Sequence, residues 1–258
     1  MRIRLDKKKL ISFLLKVLPL VVFLLLWELL IFLFPGGEFF YSSPSRIIKM
    51  FWEKTVDGSL WIDTLVTSLE AVSGFIIGNL IGAGLGLLLW FSLPVFKISK
   101  PYIIALGSAP VFALSPILVL WFGIGVFSKI VIVVLSTVFV ALLQAYNGAD
   151  NVREEYKEYF QAFHASKWVT FKKLILPSSL TWVISAFKLN TGFALLGAFI
   201  GEYISSNVGL GHMILVSFGN FNMTKLLLGV IMMSLISLMM NKVIDLIEGP
   251  LRRAISRI

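Results

Sequence analysis

Apolar residues fill this chain in six long runs, at residues 17–34, 65–90, 98–122, 128–146, 178–200 and 223–247. Each is long enough, or nearly so, for a helix to cross the ~30 Å hydrocarbon layer, which takes about 20 residues at a 1.5 Å rise. A helix is also the element whose backbone hydrogen bonds all close internally where no water can satisfy them. The pattern therefore predicts an all-α membrane protein, a polytopic bundle of about six transmembrane helices in one domain spanning residues 1–258. The polar exception is residues 151–177, a charge-dense insert carrying Arg153, Glu154, Glu155, Lys157, Glu158, Lys167, Lys172 and Lys173.

Basic residues orient the bundle. The N-terminal Arg2, Arg4 and Lys7 to Lys9, then Lys97 and Lys100, then the insert, then Arg252, Arg253 and Arg257 fall on alternate sides of successive runs. Under the positive-inside rule all four groups are cytoplasmic, with both termini inside. The first run follows a basic stretch as a signal peptide would, but it is long and lacks a small-residue cleavage site, so it is expected to be a retained anchor. Residues 35–63 and 202–222 then face outward. The first of these alternates Ile47, Ile48, Phe51 and Trp52 with Arg46, Lys49, Glu53 and Lys54, as an interfacial helix does.

Composition narrows the chemistry. Hydrophobic residues make up 58% of 258 and the mean hydropathy is +0.91, beyond the range of an ordinary soluble domain. The chain has no cysteine and two histidines, His164 and His212, which argues against disulfides, thiol catalysis or a histidine-rich metal site. Its net charge of +9 sits beside apolar runs and is better matched to anionic lipid headgroups than to nucleic acid. No Gly-x-x-x-x-Gly-Lys-Ser/Thr loop occurs, so nucleotide would have to be handled by another protein. Gly78, Gly82 and Gly86, and later Gly197 and Gly201, recur every four residues. That spacing permits close helix packing, within the bundle or across a dimer seam.

Within the insert, residues 153–163 predict a helix along the membrane surface and residues 167–174 a second, with Ser166 placed to cap it. Glu158, Ala162 and Ala165 share one face, with Trp168 and Phe171 close behind. Leu176-Pro177 predicts an elbow into the fifth run, because the residue before proline avoids helical geometry. An amphipathic loop with no partner fits the periodicity equally well. Polar residues inside the runs are candidates for a solute path: Lys188 about ten residues into the fifth run, Asn190 and Thr191 beside it, then Asn79, Ser108 and Ser115. Pairing of Lys188 with a carboxylate, and helix-to-helix packing by the others, are the competing roles. Pro110 and Pro116 are expected to interrupt the third run. Glu28 is assigned a structural role, and Glu70 and Glu202 a place near the outer surface.

The insert resembles the cytoplasmic loop of permease subunits of binding-protein-dependent ABC importers with the type I fold. That loop reads Glu-Ala-Ala, three residues, Gly, nine residues, then Ile-x-Leu-Pro. Here the register falls on Glu158-Tyr159-Phe160, His164 and Leu174-Ile175-Leu176-Pro177, with Ala165-Ser166-Lys167-Trp168 and Phe171 between. Ser43-Pro44-Ser45, Ser68-Leu69, Gly74-Phe75, Pro110, Ala113, Pro116, the run Trp121 to Gly125, Lys188, Gly192, Glu202 and Gly209-Leu210-Gly211 resemble landmarks of the nitrate, sulfonate and taurine branch. Histidine replaces the loop glycine, Tyr159 and Phe160 replace the two alanines, and Ala71 stands where this branch carries an arginine.

The resemblance implies a multi-pass protein of a prokaryotic inner membrane that catalyses nothing itself. Two permease subunits, here expected to be a homodimer, would enclose the path. A substrate-binding protein would deliver cargo from outside. Two ABC ATPases using ATP and Mg would grip coupling helices at about 150–177, leaving this chain with no cofactor of its own. The residues implied in coupling are Glu158, Tyr159, Phe160, Ala162, His164, Ala165, Ser166, Trp168, Phe171, Leu176 and Pro177. The cargo is expected to be a small anion, for which Lys188 would suit, with an uncharged heteroaromatic vitamin precursor as the alternative. An ATP-independent transporter would show inverted repeats or a line of coupling carboxylates, and the sequence shows neither. A non-transporting scaffold using the same loop is the remaining rival.

Overall fold

In the computed structural model the described residues are 7–34 and 36–255, with side chains at 7–14, 38 and 251–255 left aside. Arg2, Arg4, Lys7 to Lys9, Arg252, Arg253 and Arg257, used above for orientation, fall outside the described residues or side chains. Among the described residues every regular element is helical. Five helices are long and apolar enough to cross a membrane, or six if one bent pair counts as a single span. Contacts group the chain into two compact units, residues 1–61 with 213–230 and residues 62–212 with 231–258.

The first unit contains α1 (Lys7–Leu33), α2 (Gly37–Tyr41) and α3 (Pro44–Val56). Pro44 opens α3 at a position where its missing N–H is harmless, and the Ser43 hydroxyl accepts from the Arg46 N–H. Glu28 of α1 has the structural role expected of it: its carboxylate accepts from the Ser45 N–H at 3.0 Å and the Ser45 hydroxyl at 2.7 Å. Asp57 closes α3 and joins it to the next helix. It accepts from Lys54 at 2.6 Å and from the Ser59 N–H and hydroxyl at 2.9 and 2.6 Å, and these donors hold its carboxyl well below the usual carboxylate range.

The second unit is a helix stack. Its members are α4 (Ser59–Leu89), α5 (Leu93–Gly107), α6 (Val111–Phe122), α7 (Val126–Asp150), the arm α8 (Glu154–Ala162) and α9 (Lys167–Thr170), and α10 (Leu176–Ser205). Parts of α11 (Leu210–Gly219) and α12 (Met223–Ile255) also belong to it. The centre is α7, seamed on two sides by glycine. A Cβ added at Gly78 of α4 would strike the Thr137 hydroxyl, one at Gly82 the Val138 carbonyl, and one at Gly86 the Leu142 carbonyl. On the α10 side, a Cβ at Gly197 would come within 2.9 Å of the Val133 Cα, and one at Gly201 within 2.9 Å of the Lys129 side chain. The glycine spacing thus serves packing inside this chain. Missing side chains let backbones approach closely enough for dispersion contacts that lipid cannot replace.

The third apolar run is interrupted at Pro110, as expected, and by more than a kink. It is two helices, α5 and α6, meeting at 90° across Ser108 to Pro110. Pro110 precedes α6 with extended geometry and brings no N–H to continue α5. Pro116, expected to share in the interruption, lies inside α6 without breaking it.

Candidate functional site

The polar insert folds close to its predicted bounds, as α8 and α9. Glu154 and Glu155 sit in the first turn of α8, where the positive end of the helix dipole favours carboxylates. The helix then ends in a Schellman turn. The His164 N–H donates to the Gln161 carbonyl at 2.8 Å and the Ala165 N–H to the Phe160 carbonyl at 3.0 Å. This turn demands a left-handed residue at its centre, and His164 supplies it with φ of 52°. The histidine keeps the bend that a glycine would make, at a steric cost of about 1–2 kcal/mol. Ser166 caps α9 as predicted, its hydroxyl accepting from the Val169 N–H at 3.3 Å.

The elbow predicted at Pro177 is absent. Leu176 is helical, with φ of −59° and ψ of −50°. A π-helical turn at Phe171–Ile175 leads α9 directly into α10, the Leu176 N–H donating to the Phe171 carbonyl five residues back. Widening the turn by one residue removes the clash between a proline ring and the carbonyl four residues earlier. The result is a continuous helical rod from Lys167 to Ser205.

The faces of the arm differ sharply. No residue of α8 is buried, and Glu158, Tyr159, Ala162, His164, Ser166 and Trp168 are exposed, with Phe160 and Ala165 half-buried. Tyr156, Tyr159, Phe163 and Trp168 offer large exposed aromatic surface. Phe171, grouped with the coupling residues in the sequence, instead turns inward. With Ile175 it forms a core cluster with Ala149 and Val152, against which Leu176, Trp90 and Phe91 pack. Trp168 stacks on both Phe91 and Phe171. Lys167 lies over the rings of Trp90 and Phe91 and donates to the Phe91 carbonyl. Trp90 and Phe91 therefore tie the root of the arm to the end of α4, a link that sequence spacing does not reveal.

The polar residues expected along a path separate into several groups. Asn79, Asn190 and Thr191 are buried between helices. Asn190 donates to the Asn79 side chain at 2.7 Å and to the Thr137 carbonyl at 3.0 Å, joining α4, α7 and α10. Thr191 accepts from Asn241 of α12 at 2.7 Å. Ser115 is buried and donates to the Phe112 carbonyl of its own helix. Ser108 and Pro110 mark the break between α5 and α6.

Lys188 is paired, to Asp245 at 2.5 Å and Glu248 at 2.6 Å. It stands 17 residues before the end of α10, about 26 Å by helical rise, and beside Glu248 near the end of the last span at Pro250.

Glu70 and Glu202, expected at an outer surface, are both fully buried. Glu202 accepts from the Thr67 hydroxyl and the Gly211 N–H, each at 2.6 Å. Lys129 of α7 lies 3.1 Å from Glu70 and donates to Ser206 at 2.8 Å. Gly209, with φ of 109°, packs directly on the Glu202 carboxyl, where any side chain would collide. A buried ion cluster therefore fastens one end of α4, α7 and α10.

Beside the α5–α6 break lies a cavity of ≈ 300 Å³, bounded by Gly107, Ala109, Phe112, Ser136, Phe139 and Phe193 among others.

Apolar helices of crossing length, with an exposed arm continuous with one of them, define a multi-pass membrane protein. Residues 74–257 match the family described as "Binding-protein-dependent transport system inner membrane component", and the chain belongs to that family. A probable ABC transporter permease of Haemophilus influenzae is 32% identical over 194 residues, covering 75% of this chain and 78% of that protein. The formylaminopyrimidine transport permease ThiX of Halalkalibacterium halodurans is 32% identical over 200 residues, with the same coverage. Relatives named as aliphatic sulfonate, nitrate and taurine permeases place the chain in that branch of ABC importer permeases. Among solved structures, an inward-facing MetNI methionine ABC transporter chain superposes with a TM-score of 0.60 at 18% identity, covering 72% of this chain and 96% of that one. The fold is thus the type I importer permease fold. The subunit is not itself an enzyme; in these transporters the ATPase is a separate subunit.

Proposed function

We propose that residues 1–258 act as one permease domain that lines a solute path and is driven by a cytoplasmic ABC ATPase docking on α8 and α9. The observation that carries this reading is the unbroken rod from Lys167 to Ser205, rooted by Phe171 and Ile175 and presenting Glu158, Tyr159, Ala162 and Trp168 to solvent. A displacement imposed on the arm is transmitted to α10 through helical backbone, with no flexible linker to absorb it. The Schellman turn at His164 fixes the angle between α8 and the rod. Tyr159 and Phe160 make the docking face bulkier than two alanines would, which suits a partner with a matching recess.

A second permease subunit completing the path, an external binding protein delivering cargo, ATP and Mg at the partner ATPase, and cytoplasmic termini all belong to this proposal. The cargo is a small solute. Relatives' names divide between anions (sulfonates, nitrate, taurine) and the heterocycles formylaminopyrimidine and riboflavin. Lys188, the side chain that favoured an anion, is engaged by two carboxylates. Changing Glu158→Arg and Ala162→Arg together should abolish co-purification of the ATPase while the permease still inserts and folds. Retention of both the ATPase and transport in that variant would sink the docking assignment.

A further inference from the structure

We propose that Glu70 and Glu202 hold a single proton between them, and that with Lys129 they form a buried, electrically neutral proton-binding site.

The charge count comes first. All three side chains are buried. Lys129 pairs with Glu70 at 3.1 Å, whereas Glu202 is held by neutral donors, the Thr67 hydroxyl and the Gly211 N–H. Two carboxylates and one ammonium leave an excess negative charge. Burying an uncompensated carboxylate is costly enough that the group takes up a proton instead.

The hydrogen bonds come next. Neither Glu70 oxygen accepts one, although both are buried. The Glu202 carboxyl lies within hydrogen-bonding reach of Glu70. An ionised carboxylate offers acceptors alone, so two of them in contact repel and cannot bond. A proton turns that contact into an O–H···O⁻ bond, which is charge-assisted and short. It fills the orphaned Glu70 acceptor and cancels the excess charge in one step. The proton comes from water as the helices pack, one carboxylate becoming one carboxylic acid, with no other reactant. It belongs to the pair rather than to either residue.

The surroundings favour a proton over a larger cation. The Lys129 ammonium already stands beside Glu70 and donates to Ser206 at 2.8 Å, so a metal ion would meet a like charge. Gly209 packs so closely on the Glu202 carboxyl that even a Cβ would collide with it. Two further titratable groups lie on the adjoining segments. Asp63 accepts from the Gly209 N–H at 2.8 Å, and the buried Nδ1 of His212 makes no hydrogen bond to either carboxyl.

Infrared spectroscopy of the full chain in lipid nanodiscs at neutral pH reads the proton directly. A protonated carboxyl has a carbonyl stretch separate from that of a carboxylate, and glutamate isotopically labelled at its carboxyl carbon shifts it. The parent should show such a band, and the band should move with the label. Glu70→Gln should fold and lose the band, because its amide donates to Glu202 in the proton's place and leaves one carboxylate to balance Lys129. Neither result depends on what docks on the arm. A parent with no label-sensitive band would overturn the proposal. So would a band that survives Glu70→Gln at full strength, or a Glu70→Gln chain that fails to fold.

Discussion

The stack of α4, α7 and α10 and the arm formed by α8 and α9 belong to the same compact unit, yet they obey opposite rules. In the stack, side chains are removed so that backbones touch, at Gly78, Gly82, Gly86, Gly197 and Gly201, and most buried polar groups are tied to another helix. In the arm, aromatic side chains are added and left uncovered, at Tyr156, Tyr159, Phe163 and Trp168. A helix packed among its neighbours gains from small residues; a helix awaiting a partner keeps its apolar surface outside. The comparison teaches that the stack is closed by backbone contact, whereas the arm leaves aromatic surface uncovered.

The largest effect should come from the ion cluster that locks the stack. Lys129→Met leaves the Glu70 carboxylate buried without its cation and should cost about 3–5 kcal/mol, measured by denaturant unfolding in micelles. Adding Glu70→Leu should recover a good part of that loss, because the orphaned charge goes with it. A single substitution without effect would mean the cluster does not hold the helices. Next, Gly82→Leu drives a side chain into the Val138 carbonyl and should destabilise by about 1–3 kcal/mol, lowering the unfolding midpoint. The same change at exposed Ala162 in the arm should leave the midpoint within about 0.5 kcal/mol. Equal losses at the two sites would erase the distinction drawn here.

Smaller effects sharpen the arm. His164→Gly relieves the left-handed backbone and should stabilise the isolated permease by about 1 kcal/mol. If the midpoint falls instead, the histidine side chain holds the turn in some other way. Smallest is Asp57, outside the stack. Its carboxyl titrates below the ordinary range because Lys54 and Ser59 donate to it, so its contribution is complete above about pH 4, the unfolded value. It fades as pH falls toward the folded value. Asp57→Asn should therefore lower the midpoint slightly at pH 7, and the gap from the parent should narrow in acid.

Much of this was legible from residue order. Hydropathy runs located the crossing segments, and the predicted helix at 153–163 became Glu154–Ala162 with Ser166 capping the next. The glycine-like turn survived at His164 because the Schellman turn imposes a positive φ whatever residue occupies it. What hydropathy cannot carry is partnership between distant positions. Thr67 and Glu202 are 135 residues apart, and Lys188 and Glu248 are 60 apart. Read singly, Glu70 and Glu202 look like surface carboxylates, and Lys188 reads equally as a path cation or as the partner of a carboxylate that the sequence does not identify. The interruption at Pro110 was legible from the proline, but its right angle was not, because apolar character continues across residues 108–110. The continuity through Pro177 was hidden because a π-turn leaves no signature in periodicity.

Cysteine cross-linking addresses the proposed docking of an ATPase on the arm most directly, since the chain has no cysteine of its own. Ala162→Cys, exposed on α8, and Ile175→Cys, buried at the rod's root, would each be combined with the co-expressed ATPase and treated with a short bismaleimide. The account predicts a permease–ATPase adduct from Ala162→Cys, absent from Ile175→Cys, and lost when Glu158→Arg is added. A complex that retains its ATPase but gives no adduct at position 162, or a thiol there that reacts from outside intact cells, would contradict it.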